Sequence, residues 1–229
     1  MPLERKDFIE VEFTGKVKDG EIFDSNIEED LKKISPDSKS EPFIFSLGEG
    51  MFLPAIDDFL IGKEIGEYNL ELPPERAFGK RDTSMIQRIP LRIFKEQKIN
   101  PIPGFIFNFD GRIGKVLASS GGRVIVDFNN PIAGKDVIYK IKVLRRIEDL
   151  NEKAKALVKF LFRADIKFEI KDNKIIFEAE KPLVEFIKIF KDKFREILGL
   201  ELEVKEIERK PEDSTEIKPS ETVPNQLEQ

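Results

Sequence analysis

The spacing of the apolar residues changes near residue 150, and this change constrains the fold more than any other feature. Before it, apolar and polar residues alternate, as at Ile9, Val11 and Phe13, which is the period of a half-buried strand. After it, Leu157 and Leu161 belong to a stripe with helical spacing. A chain of 229 residues is also long enough for several small cores. The sequence therefore predicts at least two folded units with different architectures.

The first 147 residues combine several strand patterns with one short helical segment. The helix is expected between Met51 and Leu60, because Pro54 suits a first helical turn and Gly62 suits a helix end. This combination predicts an α+β domain in which an antiparallel sheet wraps one short helix. The domain is expected to be discontinuous and to consist of residues 1–83 and 131–147. The expected strands lie near residues 9–17, 21–23, 43–47, 68–72 and 137–143.

Residues 84–130 have a different pattern, in which short strands are separated by turn residues. Phe105, Phe107 and Phe109 alternate with other residues, and glycine-containing turns follow at Gly111 and Gly121. The segment is therefore predicted to be a small all-β domain inserted into the first one. The three phenylalanines have two interpretations: they line a groove that binds client chains beside an open strand edge, or they form the core of the small domain.

Residues 148–210 are predicted to form an α-β-β-α-β domain. A first helical stripe is followed by a hairpin that turns at Asp172-Asn173, a second helical stripe after Pro182, and a last strand near Val204. A domain of about 60 residues is near the lower limit for independent stability, so this one is a candidate for homodimer formation. Residues 211–229 are polar and contain several prolines, and we expect them to be disordered.

The composition excludes several functions. The chain has neither histidine nor cysteine, which removes the commonest general base, thiolate nucleophiles and the usual zinc ligands. Asp57-Asp58 is interpreted as a solvated face, so no metal and no cofactor are expected. A net charge of −5 argues against nucleic acid as a partner. No apolar run is long enough for a membrane span, and no signal peptide is visible, so we expect a soluble cytoplasmic protein without a membrane partner.

A series of short motifs carries a resemblance to a known family. The chain resembles FKBP-type peptidyl-prolyl isomerases over residues 1–83 and 131–147, and its motifs have the same spacing as in that family. The motifs are Phe13-Thr14-Gly15, Asp19-Gly20, Phe23-Asp24-Ser25, Phe43 to Gly48, Phe52 to Ile56, Gly62 to Gly66, Pro74 to Gly79 and Val137 to Ile141.

The resemblance implies an apolar pocket that twists Xaa-Pro bonds. Asp24, Phe78 and Tyr139 would act on the twisting amide, and Ile56 would form the floor beneath the proline ring. The backbone N–H of Leu53 would hold a substrate carbonyl. The other implied substrate-binding residues are Phe13, Phe23, Phe43, Phe52, Ala77 and Ile132. The chain departs from the family at three positions: Phe13 and Phe78 replace the common tyrosines, and Ile56 replaces a common tryptophan.

The inserted segment and the C-terminal extension refine the resemblance. The insertion after Ala77-Phe78-Gly79 is similar to the client-binding insert-in-flap domain of the SlyD subgroup, and Asn130 to Lys135 looks like its exit. The complete layout is similar to the long-type archaeal FKBPs. The resemblance thus implies an isomerase and folding chaperone whose partners are unfolded or proline-containing polypeptides. An alternative is a holdase chaperone whose prolyl pocket is catalytically weak.

Overall fold

The computed structural model describes residues 1–109 and 111–207. The described chain forms two compact units, which divide after Glu148. The first unit contains two antiparallel sheets, and the second contains one small mixed sheet with helices. The protein therefore belongs to the mixed α+β class. No helix within these two ranges is long and apolar enough to cross a membrane.

The larger sheet of the first unit is built around one long strand. Strand β1 pairs with β2 and β3 along one edge and with β9 along the other, and β9 also pairs with β4. Every pairing in this sheet is antiparallel, and β1 and β9 alternate between buried and more exposed residues. The strands are β1 (Phe8–Val17), β2 (Ile22–Ser25), β3 (Phe43–Ser46), β4 (Glu67–Leu72) and β9 (Val137–Ile147).

Two helices accompany this sheet. Helix α1 (Glu28–Ile34) has acidic residues in its first turn and basic residues in its last, which suits the helix dipole. Helix α2 (Pro54–Leu60) buries Ala55, Ile56 and Leu60, and the ring of Phe52 just before it contacts Tyr139 of β9. The short helix between Met51 and Leu60 is thus present where the sequence predicted it, beginning at Pro54.

The second sheet of the first unit has the order β5-β8-β7-β6. Its strands are β5 (Ile86–Pro90), β6 (Ile106–Phe109), β7 (Arg112–Ser120) and β8 (Arg123–Asp127). The prediction of an all-β segment is wrong in one respect, because helix α3 (Leu91–Glu96) follows β5 and its Phe94 is fully buried in the core. Six residues offer too few turns for a helical period to be visible, and the strand patterns on either side conceal it.

The second unit has the element order α-β-β-α-α-β rather than the predicted α-β-β-α-β. Strands β10 and β11 form an antiparallel hairpin, and β12 joins β11 in parallel. Asp172 and Asn173 both have positive φ, as a two-residue hairpin turn requires. The elements are α4 (Leu150–Phe162), β10 (Phe168–Lys171), β11 (Lys174–Ala179), α5 (Lys181–Lys188), α6 (Lys191–Leu198) and β12 (Glu201–Glu206).

The second predicted helix is divided because the chain leaves helical geometry at Phe190, where φ is −89° and ψ is 7°. The apolar stripe nevertheless continues from α5 into α6, so the spacing alone predicted one helix. The prediction of disorder for residues 211–229 lies outside the described residues, as does the end of the predicted domain at residue 210.

Candidate active site

Six aromatic residues that the sequence assigned to one pocket form a continuous series of ring contacts. The series begins at Phe78, passes through Phe23 to Tyr139, and continues through Phe52 and Phe13 to Phe43. The ring centroids are 5.4 Å apart for Phe78–Phe23, 5.8 Å for Phe23–Tyr139, 5.7 Å for Tyr139–Phe52, 4.9 Å for Phe52–Phe13 and 5.4 Å for Phe13–Phe43. The structure thus brings together six side chains that are up to 126 positions apart in the sequence, from Phe13 to Tyr139.

The register of the sheet explains how these rings meet. Gly15 of β1 lies opposite Tyr139 of β9 and opposite Asp24 of β2, so two candidate residues share one row across the sheet with this glycine. A Cβ atom on Gly15 would lie 2.8 Å from the Tyr139 ring and 3.0 Å from the Phe23 ring. Only glycine leaves room for both rings at this position. Sequence reasoning did not select Gly15 as a site residue, although it belongs to the first quoted motif.

Asp24 is the acidic member of the site. Its partial burial raises the pKa of the carboxyl group, and a backbone hydrogen bond at Ser25 offsets part of this shift. Burial also raises the pKa of Tyr139, and the negative charge of Asp24 adds to that effect. Tyr139 therefore keeps its proton at neutral pH, and its hydroxyl is available as a hydrogen-bond donor beside the carboxylate.

Two polar residues that the sequence did not predict hold Asp24 in place. The Asn26 side chain lies in the gap between β2 and β3, where it accepts a hydrogen bond from the N–H of Phe13 and donates one to the carbonyl of Val11, both at 2.8 Å. Ser25 donates its hydroxyl to the carbonyl of Phe13 at 2.8 Å. Side chains thus replace strand partners there, and Asp24 and Phe13 become fixed relative to each other. Such long-range pairings leave no periodic trace in the sequence.

The start of α2 supplies the remaining side of the site. Leu53 accepts hydrogen bonds from the N–H groups of Ile56 and Asp57, while its own N–H donates to no residue among those described. The role of this N–H in holding a substrate carbonyl stays a prediction, with which the missing partner is compatible. Ile56, which was expected to form the floor of the site, is fully buried in α2.

The ring cluster is closely packed. Tyr139 is 1% exposed and Phe13 is 5% exposed. The half-buried ring of Phe52 contacts Phe45 as well as Phe13, Phe43 and Tyr139, with centroid distances of 4.9–5.7 Å. Phe45 is a supporting ring that the site prediction did not include. Because Ile56 is fully buried, a proline ring could reach it only if the side chains around it moved.

Asp57 has the most unfavourable environment of the described acidic groups near the site. Only 3% of the residue is exposed, and burial raises the pKa of its carboxyl group to about 6. The backbone N–H groups of Gly48 and Gly50 oppose this shift, yet Oδ1 has no hydrogen-bond partner among the described residues. Asp57 therefore lies against the loop that carries Phe52 towards the other rings. The interpretation of Asp57-Asp58 as a solvated face is wrong for Asp57, while Asp58 is exposed.

The two connections between the sheets carry the last candidate residues. Ala77 and Phe78 are partly buried and follow β4, and Phe78 contacts Phe23. Ile132 lies on the returning connection, where Gly134 donates a backbone hydrogen bond of 2.8 Å to Gly79. This contact places the turn that contains Ile132 beside Phe78.

The three phenylalanines of the second sheet lie apart from this ring cluster. Phe107 is buried, and Phe105 and Phe109 pack against the same core, which also contains Phe94 and Val116. Their burial favours the second interpretation from the sequence, in which they form the core of the small domain. The exposed apolar residues of β6 and β7 are instead Ile106, Ile113 and Leu117.

Comparisons with known proteins agree with this geometry. Residues 2–99 match the model of the family described as FKBP-type peptidyl-prolyl cis-trans isomerase. Residues 87–132 match a second family model, described as FKBP26, IF domain.

Three relatives show how far the similarity extends. A short-type peptidyl-prolyl cis-trans isomerase of Methanocaldococcus jannaschii is 32% identical over 62% of this chain and 92% of its own length. The FKBP-type 16 kDa peptidyl-prolyl cis-trans isomerase of Escherichia coli is 29% identical over 58% of this chain and 87% of its own length. The SlyD isomerase of Aeromonas hydrophila is 25% identical over 59% of this chain and 60% of its own length.

An antiparallel sheet with the short helix α2, together with an aromatic cluster beside the carboxylate of Asp24, is typical of a peptidyl-prolyl cis-trans isomerase domain. The chain belongs to the FKBP-type peptidyl-prolyl cis-trans isomerases. Its similarity extends to the relatives named SlyD, as the sequence motifs indicated.

Proposed function

We propose that the protein catalyses the rotation of Xaa-Pro bonds in unfolded or partly folded polypeptides and also holds these chains as a folding chaperone. The observation that supports the catalytic part is the ring cluster beside Asp24 and Tyr139. A chain without histidine or cysteine can perform this reaction, because no proton transfer or covalent bond is needed. We further propose that it works in the cytoplasm, where a protein without disulfides needs no oxidising environment.

The reaction requires a site that fits the twisted amide better than either planar form. Rotation about a peptide bond has a barrier of ~18–20 kcal/mol, because amide resonance must be broken. Apolar walls disfavour the charge-separated resonance form, which the planar amide needs more than the twisted one. The N–H of Leu53 would position a neighbouring carbonyl, and Asp24 with the Tyr139 hydroxyl would orient the twisting group. The proline ring would lie over Ile56 once the side chain of Phe52 has moved aside.

We also propose that residues 84–130 act as an insert-in-flap domain that binds clients. The outer face of β6 and β7 supports this role, because Ile106 and Ile113 are more than half exposed and Leu117 lies beside them. These residues line a groove of about 230 Å³ that also includes Pro131 and Ala133 of the returning connection. Exposed apolar residues in a groove commonly mark an interaction surface. We therefore assign client binding to the opposite face of the same sheet and not to Phe105, Phe107 and Phe109.

A proline-limited refolding reaction tests both activities together. We expect the full chain to accelerate it far more than it accelerates rotation in a short Xaa-Pro peptide, because binding at the insert raises the local concentration of prolines near the site. A variant in which a short Gly/Ser linker replaces residues 84–130 should retain the peptide activity and lose most of the refolding advantage. Equal refolding rates with and without the protein would refute the catalytic proposal.

The alternative function is a holdase with a catalytically weak pocket, which the replacement of two tyrosines by Phe13 and Phe78 favours. Asp24→Ala separates the two proposals, because it removes the carboxylate and leaves the insert unchanged. If the site is catalytic, this variant should slow catalysed refolding by at least about tenfold while it still suppresses aggregation. An unchanged refolding rate with intact suppression of aggregation would instead identify a holdase.

A further inference from the structure

The outer face of the insert sheet carries cations between its apolar residues. Lys115 of β7 lies directly opposite Ile106 of β6, and Ile113 and Leu117 are its neighbours on the same strand face. The groove over this face is lined by Arg81, Lys115 and Lys135 as well as by the apolar side chains. Its chemistry is therefore both apolar and positively charged.

The charge of this groove is only partly neutralised within the protein. Among the described residues, Asp127 is the one acidic residue in the lining, and it already forms an ion pair with Arg81 and accepts hydrogen bonds from Asn129. These contacts lower the pKa of Asp127 although its partial burial opposes them, so the group stays ionised. Lys115 and Lys135 form no ion pair with any residue in the described part of the chain, and both are exposed.

The composition of the inserted segment agrees with this local excess of positive charge. Residues 84–130 contain seven basic and three acidic residues, whereas the whole chain has a net charge of −5. A positive segment on a negative protein attracts and orients acidic partners before contact, and it repels basic ones.

The groove and the isomerase site share the same two connections. Phe78 belongs to the ring cluster and Arg81 lines the groove three residues later. On the returning connection, Pro131 and Ala133 line the groove, and the N–H of Gly134 is bonded to Gly79. A chain held in the groove therefore lies next to the site at which a proline would be rotated.

We propose that this groove selects client segments in which carboxylates accompany apolar residues, so that acidic sequences near a proline are the preferred substrates. The selection rests on the proposed client binding by the insert. Apolar side chains contact Ile106, Ile113 and Leu117, while aspartate or glutamate side chains pair with Lys115 and Lys135. The occupant is an extended, acidic and apolar stretch of an unfolded polypeptide.

Proline-free peptides test the groove separately from the isomerase site. Three 12-residue peptides with a zwitterionic dye would have identical leucine positions and would carry glutamate, glutamine or lysine between them. Fluorescence anisotropy with the full chain should show the glutamate peptide binding about tenfold more tightly than the lysine peptide at low salt, with the glutamine peptide between them. The difference should shrink at 0.5 M salt, where exposed charges are screened.

Two double variants test whether Lys115 and Lys135 cause the preference for the acidic peptide. Lys115→Glu with Lys135→Glu should reverse the order of the glutamate and lysine peptides. The matched control, Arg92→Glu with Lys98→Glu, makes the same change of charge in or next to α3, which packs on the opposite face of the sheet, and should preserve the order. Unchanged rotation of a short Xaa-Pro peptide would show that both variants are folded.

The outcomes distinguish the charge selection from client binding itself. Equal binding of the three peptides would overturn the selection and leave the chaperone proposal intact. Equal effects of the two double variants would overturn its location in the groove. Failure of all three peptides to bind would overturn both proposals, because the selection depends on client binding.

Discussion

Gly15 controls how closely the aromatic rings approach strand β1. Its missing side chain leaves the space that the rings of Tyr139 and Phe23 occupy, because a Cβ atom would lie 2.8 Å from the Tyr139 ring and 3.0 Å from the Phe23 ring. Real Cβ atoms essentially never make a contact as short as 2.8 Å, so the Tyr139 ring or the strand would have to shift. Tyr139 is nearly inaccessible and surrounded by other rings, and it has little freedom to move.

Gly15→Ala is expected to reduce isomerase activity on a short Xaa-Pro peptide by at least about tenfold and to destabilise the fold by about 1–3 kcal/mol, as overpacking commonly does. Gly66→Ala is a suitable control, because its Cβ would make an ordinary contact of 3.6 Å with Tyr68. Peptide isomerisation and urea unfolding of both variants provide the measurement. Equal activities would show that the close approach at Gly15 is unimportant.

Asp57 should give the protein a distinct pH dependence. Its folded-state pKa is about 6, above the ordinary value of 3.8, so the folded state binds the proton more tightly than the unfolded state. The contribution of this group to stability therefore falls as the pH rises from about 4 to about 6. The loss is up to about 3 kcal/mol for a shift of this size.

Asp57→Asn should remove this dependence. Relative to the unchanged protein, the variant should gain about 2–3 kcal/mol of unfolding free energy between pH 4 and pH 7, because it has no proton to lose. Urea unfolding at both pH values measures the difference, and Asp58→Asn is the exposed control on the same helix. Parallel pH profiles for the unchanged protein and Asp57→Asn would contradict the predicted effect of burial.

At the scale of elements, the connection between β3 and α2 positions the ring that makes the most contacts within the cluster. This ring is that of Phe52, which contacts the rings of Phe13, Phe43, Phe45 and Tyr139. We propose that this ring occupies space that a substrate proline needs, so that the connection must shift before the substrate binds.

Phe52→Val should raise kcat/KM for a short Xaa-Pro peptide several-fold, because the smaller side chain would free the space that we propose the proline ring needs. The same change should lower the unfolding free energy by about 2–4 kcal/mol through lost ring contacts. Phe59→Val is the matched control, because the Phe59 ring contacts Tyr68 and Lys63 outside the cluster. A fall in kcat/KM for Phe52→Val with no change for Phe59→Val would show that the ring is a wall of the pocket and not an obstacle.

The sequence predicted strands and helices best where apolar and polar residues alternate over several positions. Strands β1 and β9 have this pattern, and both were expected close to their observed positions. Helix α3 was missed because it is only six residues long, and the break between α5 and α6 was missed because the apolar stripe continues through it. Neither the short helix nor the break changes the spacing of the apolar residues enough to be visible in the sequence.

The candidate site was predictable to the extent that family motifs name its side chains. The six rings contact one another in series, while their role in a prolyl pocket stays a prediction, and their packing density depends on contacts across the sheet. The space at Gly15, the pairing of Asn26 with β1 and the burial of Asp57 all require the register of strands that are distant in sequence. The direction of Phe105, Phe107 and Phe109 was ambiguous because alternation does not indicate which face is the core.

At the scale of the whole molecule, the second unit has an exposed apolar surface of its own. Leu183 is 43% exposed, Phe186 is 46% exposed and Ile189 at the end of α5 is 74% exposed. Phe186 also contacts Phe162 and Phe190, so the exposed residues continue into the core of this small unit. We propose that a second copy of the chain covers this surface and forms a homodimer.

Phe186→Glu should convert the proposed dimer to a monomer, because it places a charge in an apolar interface. Sedimentation equilibrium across a range of concentrations measures the change. Ile65→Glu is a control of the same chemistry on the first unit, where Ile65 is 54% exposed. A monomeric mass for the unchanged protein, or a dimer that Phe186→Glu leaves intact, would refute the proposal.

The two connections that lead to the insert are joined at their base. Asn129 accepts a hydrogen bond from the N–H of Asp82 at 2.8 Å and donates one to its carbonyl at 2.9 Å, and Arg81 pairs with Asp127. The inserted segment therefore begins and ends at nearly the same place. Its length adds little to the entropy cost of closing the loop between β4 and β9. Natural recombination could exchange one module for another at this junction without altering the catalytic sheet. Client preference and bond rotation could then evolve independently within one gene.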